Sequence, residues 1–251
     1  MYRRASCQLL LLLCSFIVVI LGGCSSNGKI QRAGLEESPT QNYGWWVGHG
    51  GEQTAVDIGF DGKGIQIRVQ RSYLSHARID SPVGKRWTHN YLMHIQNASG
   101  RAIKLFKANG RESKFLRTNP GEFTSEVDDQ ETLTQNGDGT HSLQDSEGTI
   151  YGFNRKGRLM HVQGHQYGNT ISLAYGANGY LDSISDAQGH LITFNYDLET
   201  HRLASIRDGQ GRSAMYQHDD VGNLISVTNA EGITSEYSYD RQSHLVGVTF
   251  P

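Results

Sequence analysis

Few residues in this chain are suited to chemistry. Cysteine occurs only as Cys7, Cys14 and Cys24, so the rest of the chain has no thiol nucleophile, no thiolate metal site and no disulfide framework. His161 and His165 stand four apart, a spacing that would share one face of a helix. The segment Met160-His161-Val162-Gln163-Gly164-His165 instead reads as strand and turn, which points the two rings apart. There is no Gly-x-Ser-x-Gly elbow and no phosphate loop. With 25 acidic residues, two carboxylates can always be found, so their presence indicates no acid–base catalysis. Asp128-Asp129 with Glu126 and Glu131 reads as a solvated turn. Trp45 and Trp46 could stack on a sugar ring and are the candidate glycan contacts. A net charge of −2 without a basic run argues against a nucleic-acid partner. The expectation is a chain that is not an enzyme, with no catalytic residue, no metal and no cofactor.

The thiol with the clearest chemistry is Cys24. Upstream lie the basic start Met1-Tyr2-Arg3-Arg4 and a largely apolar run from Leu9 to Leu21. That is the order of a secretory signal, and the run is shorter than the roughly 20 apolar residues a spanning helix needs. Leu21-Gly22-Gly23-Cys24 resembles the bacterial lipobox, whose cysteine is lipidated and becomes the first residue after cleavage. The resemblance implies a signal peptide over 1–23, lipid attachment at Cys24, and the membrane as a partner through that lipid. Ser25 and Ser26 follow, with no aspartate next, which by resemblance to Gram-negative lipoproteins implies the outer membrane. Residues 24–42 are polar and read as a tether with little to bury.

The elements that position everything else come from a repeat. Leu159, Leu181, Leu203, Leu224 and Leu245 are spaced by 22, 22, 21 and 21 residues. A second column holds Phe153, Tyr175, Tyr196, His218 and Tyr239, and a third Gly168, Gly189, Gly211 and Gly232. A fixed period of this size means one small unit used many times. In the copy around residue 200, Ile192-Thr193-Phe194-Asn195-Tyr196 and Leu203-Ala204-Ser205-Ile206 read as short alternating strands. Polar turns join them, so each unit is a β-hairpin that must bury its apolar face on neighbours. The tyrosine stripe is therefore expected to pack between strands.

These columns resemble the Rhs or YD-repeat family. Tyr196-Asp197 with Leu203, and Tyr239-Asp240 with Leu245, carry the likeness; His218-Asp219 and Tyr175-Gly176 are degenerate copies. Upstream, Arg71-Ser72-Tyr73 and Trp87-Thr88-His89-Asn90-Tyr91 resemble the module that precedes the repeats in Rhs proteins. Tyr91-Leu92-Met93-His94-Ile95 reads as a strand, and Asn136-Gly137-Asp138-Gly139 as a hairpin turn.

The expected fold is all-β: an N-terminal module over 43–152, then YD repeats over 153–251, about four with the last incomplete, as an open sheet or partial barrel. The resemblance implies a non-catalytic, lipid-anchored scaffold like the N-terminal part of a shell for toxin encapsulation, delivery or surface display. Four repeats are too few to close a shell, so the expectation is the N-terminal piece of a split or truncated gene, with a small stand-alone lipoprotein that has an open repeat edge as the other reading. Further repeats or a partner strand would then pair at an open C-terminal edge. The alternative is a cell-surface module that binds a glycan or a protein.

Overall fold

The computed structural model describes residues 43–46, 51–60, 66–127, 130–165 and 169–250. The expected signal peptide, the tether and Cys24 lie outside these residues. The chain is all-β; among the described residues the one helical element is a single 3-10 turn, Asn90–Leu92.

Sixteen strands, from His94–Ser99 to Leu245–Phe250, pair antiparallel with their sequence neighbours, and Tyr43–Trp46 joins them in one 17-stranded sheet. The sheet runs without a break across residues 152 and 153. A smaller sheet of Glu52–Gly59, Arg68–Leu74 and Trp87–His89 lies against the repeats, followed by a two-stranded ribbon of Asp80–Ser81 and Gly84–Lys85.

Each repeat uses a bulge to turn two apolar residues inward. Leu203 and Ile206 are three apart and both are buried, which strict alternation forbids. The register resolves this: Tyr196 faces Leu203 and Asn195 faces Ser205, so Ala204 is the extra residue of a β-bulge. The same step recurs at Met160, Asp182, Ile225 and Val246. The buried pairs Leu159/Val162, Leu181/Ile184, Leu224/Val227 and Leu245/Val248 follow from it.

The turns repeat as well. Asp219 Oδ1 accepts from the amides of Val221 and Asn223, and Asp240 Oδ1 from those of Gln242 and His244. An aspartate or asparagine that satisfies its own turn in this way fixes the hairpin locally. At Gly157 the turn needs glycine outright: φ is +80°, and a Cβ would lie 2.0 Å from the carbonyl oxygen of Ile95. That approach lets Ile95 N–H donate to the Gly157 carbonyl at 2.9 Å.

Three sequence expectations change. Tyr91 to Ile95 is not one strand: His89 Nδ1 accepts from Tyr91 N–H, caps the 3-10 turn and sends Tyr91 into the core, and the strand begins at His94. Glu131 is not in a solvated turn; it is 9% exposed, and both its carboxylate oxygens accept from Lys107 Nζ at 2.6 and 2.8 Å. The edge strand Leu245–Phe250 is not open, because Tyr43–Trp46 pairs along it.

Candidate functional site

The feature that organises the molecule is the seam between the small sheet and the repeats. In the small sheet, Val69, Arg71 and Tyr73 alternate onto the face turned to the repeats, and all are 2% exposed or less. Val56 faces Gln70 and Ile58 faces Val69, so Asp57 is the extra residue of a bulge. A bulge re-aims a side chain, and here the Asp57 carboxylate meets the Arg71 guanidinium in a buried ion pair.

Each member of that pair also reaches a repeat tyrosine. Tyr216 Oη donates to Asp57 Oδ2 at 2.6 Å, and Arg71 Nη2 donates to Tyr237 Oη. Trp87 packs edge-on to Tyr237 with centroids 5.0 Å apart, and the Arg71 guanidinium lies over both rings. Burial pushes the Tyr216 phenol well above its ordinary value, partly offset by the Arg71 charge, so it stays a neutral donor.

Around this centre the seam is sewn by backbone. Leu245 N–H donates to Tyr73 Oη at 2.9 Å, Leu203 N–H to the Pro82 carbonyl at 2.8 Å, and Ala230 N–H to the Asp57 carbonyl at 2.8 Å. Trp87 Nε1 donates to Tyr239 Oη at 2.8 Å, and Arg212 Nη2 to the Gly59 carbonyl at 2.9 Å. His89 stacks on Phe194 at 5.4 Å, and burial pushes its imidazole down to about 3.

The repeat-signature residues fall on this frame as follows. Leu181, Leu203, Leu224 and Leu245 are each 2% exposed or less. The hydroxyls of Tyr175, Tyr196 and Tyr239 donate to the carbonyls of Leu159, Leu181 and Leu224, one repeat back, at 2.7, 2.9 and 2.6 Å. Asp197 and Asp240 hold their own turns. Gly189, Gly211 and Gly232 take φ of +88°, +88° and +81°. Trp45 and Trp46 are on the strand beside Leu245–Phe250. Cys24 lies outside the described residues. Among the described residues no three His, Cys, Asp or Glu side chains converge to hold a metal ion.

Asp57, Tyr216 and Tyr237 were not singled out by the sequence reading. The available signal was a charged residue in each of two short strands of apolar alternation, Asp57 beside Ile58 and Arg71 between Val69 and Tyr73.

Two stretches match known families. Residues 52–115 match a domain of unknown function (DUF6531), and residues 218–251 match the RHS Repeat. The chain is 25% identical over 174 residues to a protein named Double-stranded DNA deaminase toxin A, from Burkholderia cenocepacia (strain H111). That match takes in 65% of this chain and 12% of the relative, so the chain spans only a small part of the curated protein it resembles. Among solved structures it is similar to a TcdB2-TccC3 crystal structure, at 15% identity and a TM-score of 0.33 over 79% of this chain and 12% of that one. It is equally similar to a Tc holotoxin pore of Photorhabdus luminescens, at 15% identity and TM-score 0.33 over the same shares.

Proposed function

We propose that the chain, which carries a match to the RHS Repeat and to a domain of unknown function upstream of it, acts without catalysis, as a lipid-anchored β-scaffold of the kind that encloses, delivers or displays a toxic cargo. The observation that carries this reading is how the repeat face is used. Its inward tyrosines spend their hydroxyls on backbone carbonyls and on Asp57, and Tyr237 receives Arg71. Polar groups committed in this way build a wall; a catalytic group must be left able to reach a substrate.

In the proposal Cys24 carries the lipid, the outer membrane is the compartment, and the wall projects from it. The similarity to part of a deaminase toxin motivates the cargo class. Two measurements test the reading. Cells fed a clickable fatty acid should label the wild-type chain and leave Cys24→Ser unlabelled and out of the membrane fraction. The purified chain should release no ammonia from double-stranded DNA; ammonia release would overturn the non-catalytic assignment.

One observation favours a glycan-binding role as second reading. Tyr180 stacks on Tyr196 at 5.0 Å and lies 5.9 Å from His201, beside Asn178 and Asp182, in an open groove of about 570 Å³. Aromatic faces beside amides and carboxylates suit a sugar ring. Glycan-array binding lost with Tyr180→Ala would support it, and loss with Trp45→Ala and Trp46→Ala instead would move the site to that pair.

A further inference from the structure

The strands from His94–Ser99 to Ile150–Phe153 pair antiparallel in sequence order and then come back on themselves. Backbone makes the return: Ile95 N–H donates to the Gly157 carbonyl at 2.9 Å, and His94 forms a bridge pair with Arg158. The inward face of this run is apolar, and Ile95, Phe115, Leu133, Leu143 and Phe153 are each 4% exposed or less. His141 breaks that pattern. By alternation it shares the face of Leu143, and it is 5% exposed. Neither of its ring nitrogens has a hydrogen-bond partner among the described residues. A buried polar group without a partner is costly, and packing alone does not account for one here.

His141 lines an open pocket of about 260 Å³ between the strand His94–Ser99 and the turn that follows Phe153. That turn is held in place twice. Asn154 Oδ1 accepts from the amides of Lys156 and Arg158, and Gly157 sits close against Ile95. Its exposed tip brings Arg155 and Lys156 to the pocket, which Gln96 and Asn97 line from the strand side. Arg155 Nε donates to the Asp138 carbonyl at 2.6 Å, which fixes the guanidinium and leaves its two terminal nitrogens to the pocket. Among the described residues neither Arg155 nor Lys156 forms an ion pair. No carboxylate is among the described residues lining the pocket, and Asp138 turns its Oδ1 to the amide and hydroxyl of Thr140.

We infer that this pocket binds a phosphate group, with Arg155 and Lys156 supplying the charge and the His141 ring donating an N–H to a phosphate oxygen. Two cations without a carboxylate partner match a doubly charged oxyanion, and the arginine fork suits its geometry. Gln96 and Asn97 add amide donors. Burial lowers the His141 imidazole below its ordinary value, so at neutral pH it carries one N–H, and the choice of tautomer lets either nitrogen be the donor. The chemistry is the same for a free phosphate ion and for a phosphate ester, and two probes separate these sources.

The test is calorimetric titration of the purified full-length chain at neutral pH with inorganic phosphate and with glycerol 3-phosphate, in chloride of matched ionic strength. Saturable one-to-one binding of at least one probe is expected, and the tighter probe identifies the source. Arg155→Gln with Lys156→Gln should weaken that binding about tenfold or more, since two charge-assisted contacts are lost. His141→Leu should weaken it by up to about tenfold, the worth of one hydrogen bond. No saturable binding of either probe overturns the inference and leaves His141 as a core histidine satisfied by water. Unchanged binding in either variant overturns it as well. Should His141→Leu fail to fold, the histidine ring signals of labelled chains decide by NMR. Phosphate should shift one ring in the wild type and none in the exposed-pair variant at the same concentration, and equal shifts, or none in the wild type, contradict the site.

Discussion

The Asp57 carboxylate and the Arg71 guanidinium form a sealed ion pair, and each reaches on to a tyrosine of the repeats, Tyr216 and Tyr237. Neither charge can turn to water: their side chains are 0% and 3% exposed. Removing one partner strands the other. Arg71→Met should therefore cost about 3–5 kcal/mol in urea unfolding. Combined with Asp57→Leu it should cost clearly less than the two single losses added, with a coupling of about 1 kcal/mol or more. Additive losses would mean the pair does not hold the seam.

A turn prediction separates acceptor from charge. Asp208 Oδ1 accepts from the amides of Gln210 and Arg212, while Oδ2 accepts from Arg212 Nε at 2.7 Å. Asn229 plays the first role in its own turn without a charge. Asp208→Asn should therefore keep most of the stability, whereas Asp208→Ala should cost about 1–3 kcal/mol by leaving the turn amides unpaired. Equal losses in thermal or urea melts would contradict the turn assignment.

One turn carries removable strain. Ser243 has φ of +61°, where the corresponding turns use Gly179 and Gly222. A left-handed backbone costs a non-glycine residue about 1–2 kcal/mol, and glycine's looser unfolded state offsets part of that gain. Ser243→Gly should raise the unfolding midpoint modestly, and a lower midpoint would show that the serine side chain has a stabilising contact of its own.

Acid should loosen the seam through histidine. Burial holds His89 at about 3, below its unfolded value of about 6.5. Between those values the unfolded chain takes up a proton that the native chain refuses. The stability is thus complete above about pH 6.5 and falls as pH drops, by about 1.4 kcal/mol per pH unit for one such group. Burial lowers His141 and His218 as well, so they act in the same direction. His89→Phe keeps a ring against Phe194 and removes the proton. Its stability should fall less than the wild type's between pH 7 and pH 4, and an equal fall would remove His89 from the account.

The legible part of the molecule is the local part. Hairpins, turns and the columns through Leu203 and Tyr196 come from residues close in sequence, where period and turn chemistry speak directly. Even there the three-residue step from Leu203 to Ile206 hides a bulge, since the extra residue Ala204 has no composition signal. The seam is illegible for a different reason. Asp57 meets Tyr216 across 159 residues and Tyr73 meets Leu245 across 172, and no local pattern encodes such pairings. A charged residue inside a short strand looks solvent-facing until a second sheet covers it. Tyr43–Trp46 is the extreme case: four residues with no repeat spacing occupy an edge at the far end of the described chain.

The central claim is that the small sheet and the repeats form one structural body, a wall closed from inside by the seam. Native-state hydrogen exchange tests it most directly, by comparing the amides of Val69, Arg71 and Tyr73 with those of Ile206, Tyr216 and Val227. One body predicts that both sets exchange through the same global opening, with opening free energies equal to that of unfolding. Small-sheet amides that open about 2 kcal/mol or more below the repeat amides would show a separately unfolding unit and contradict the account.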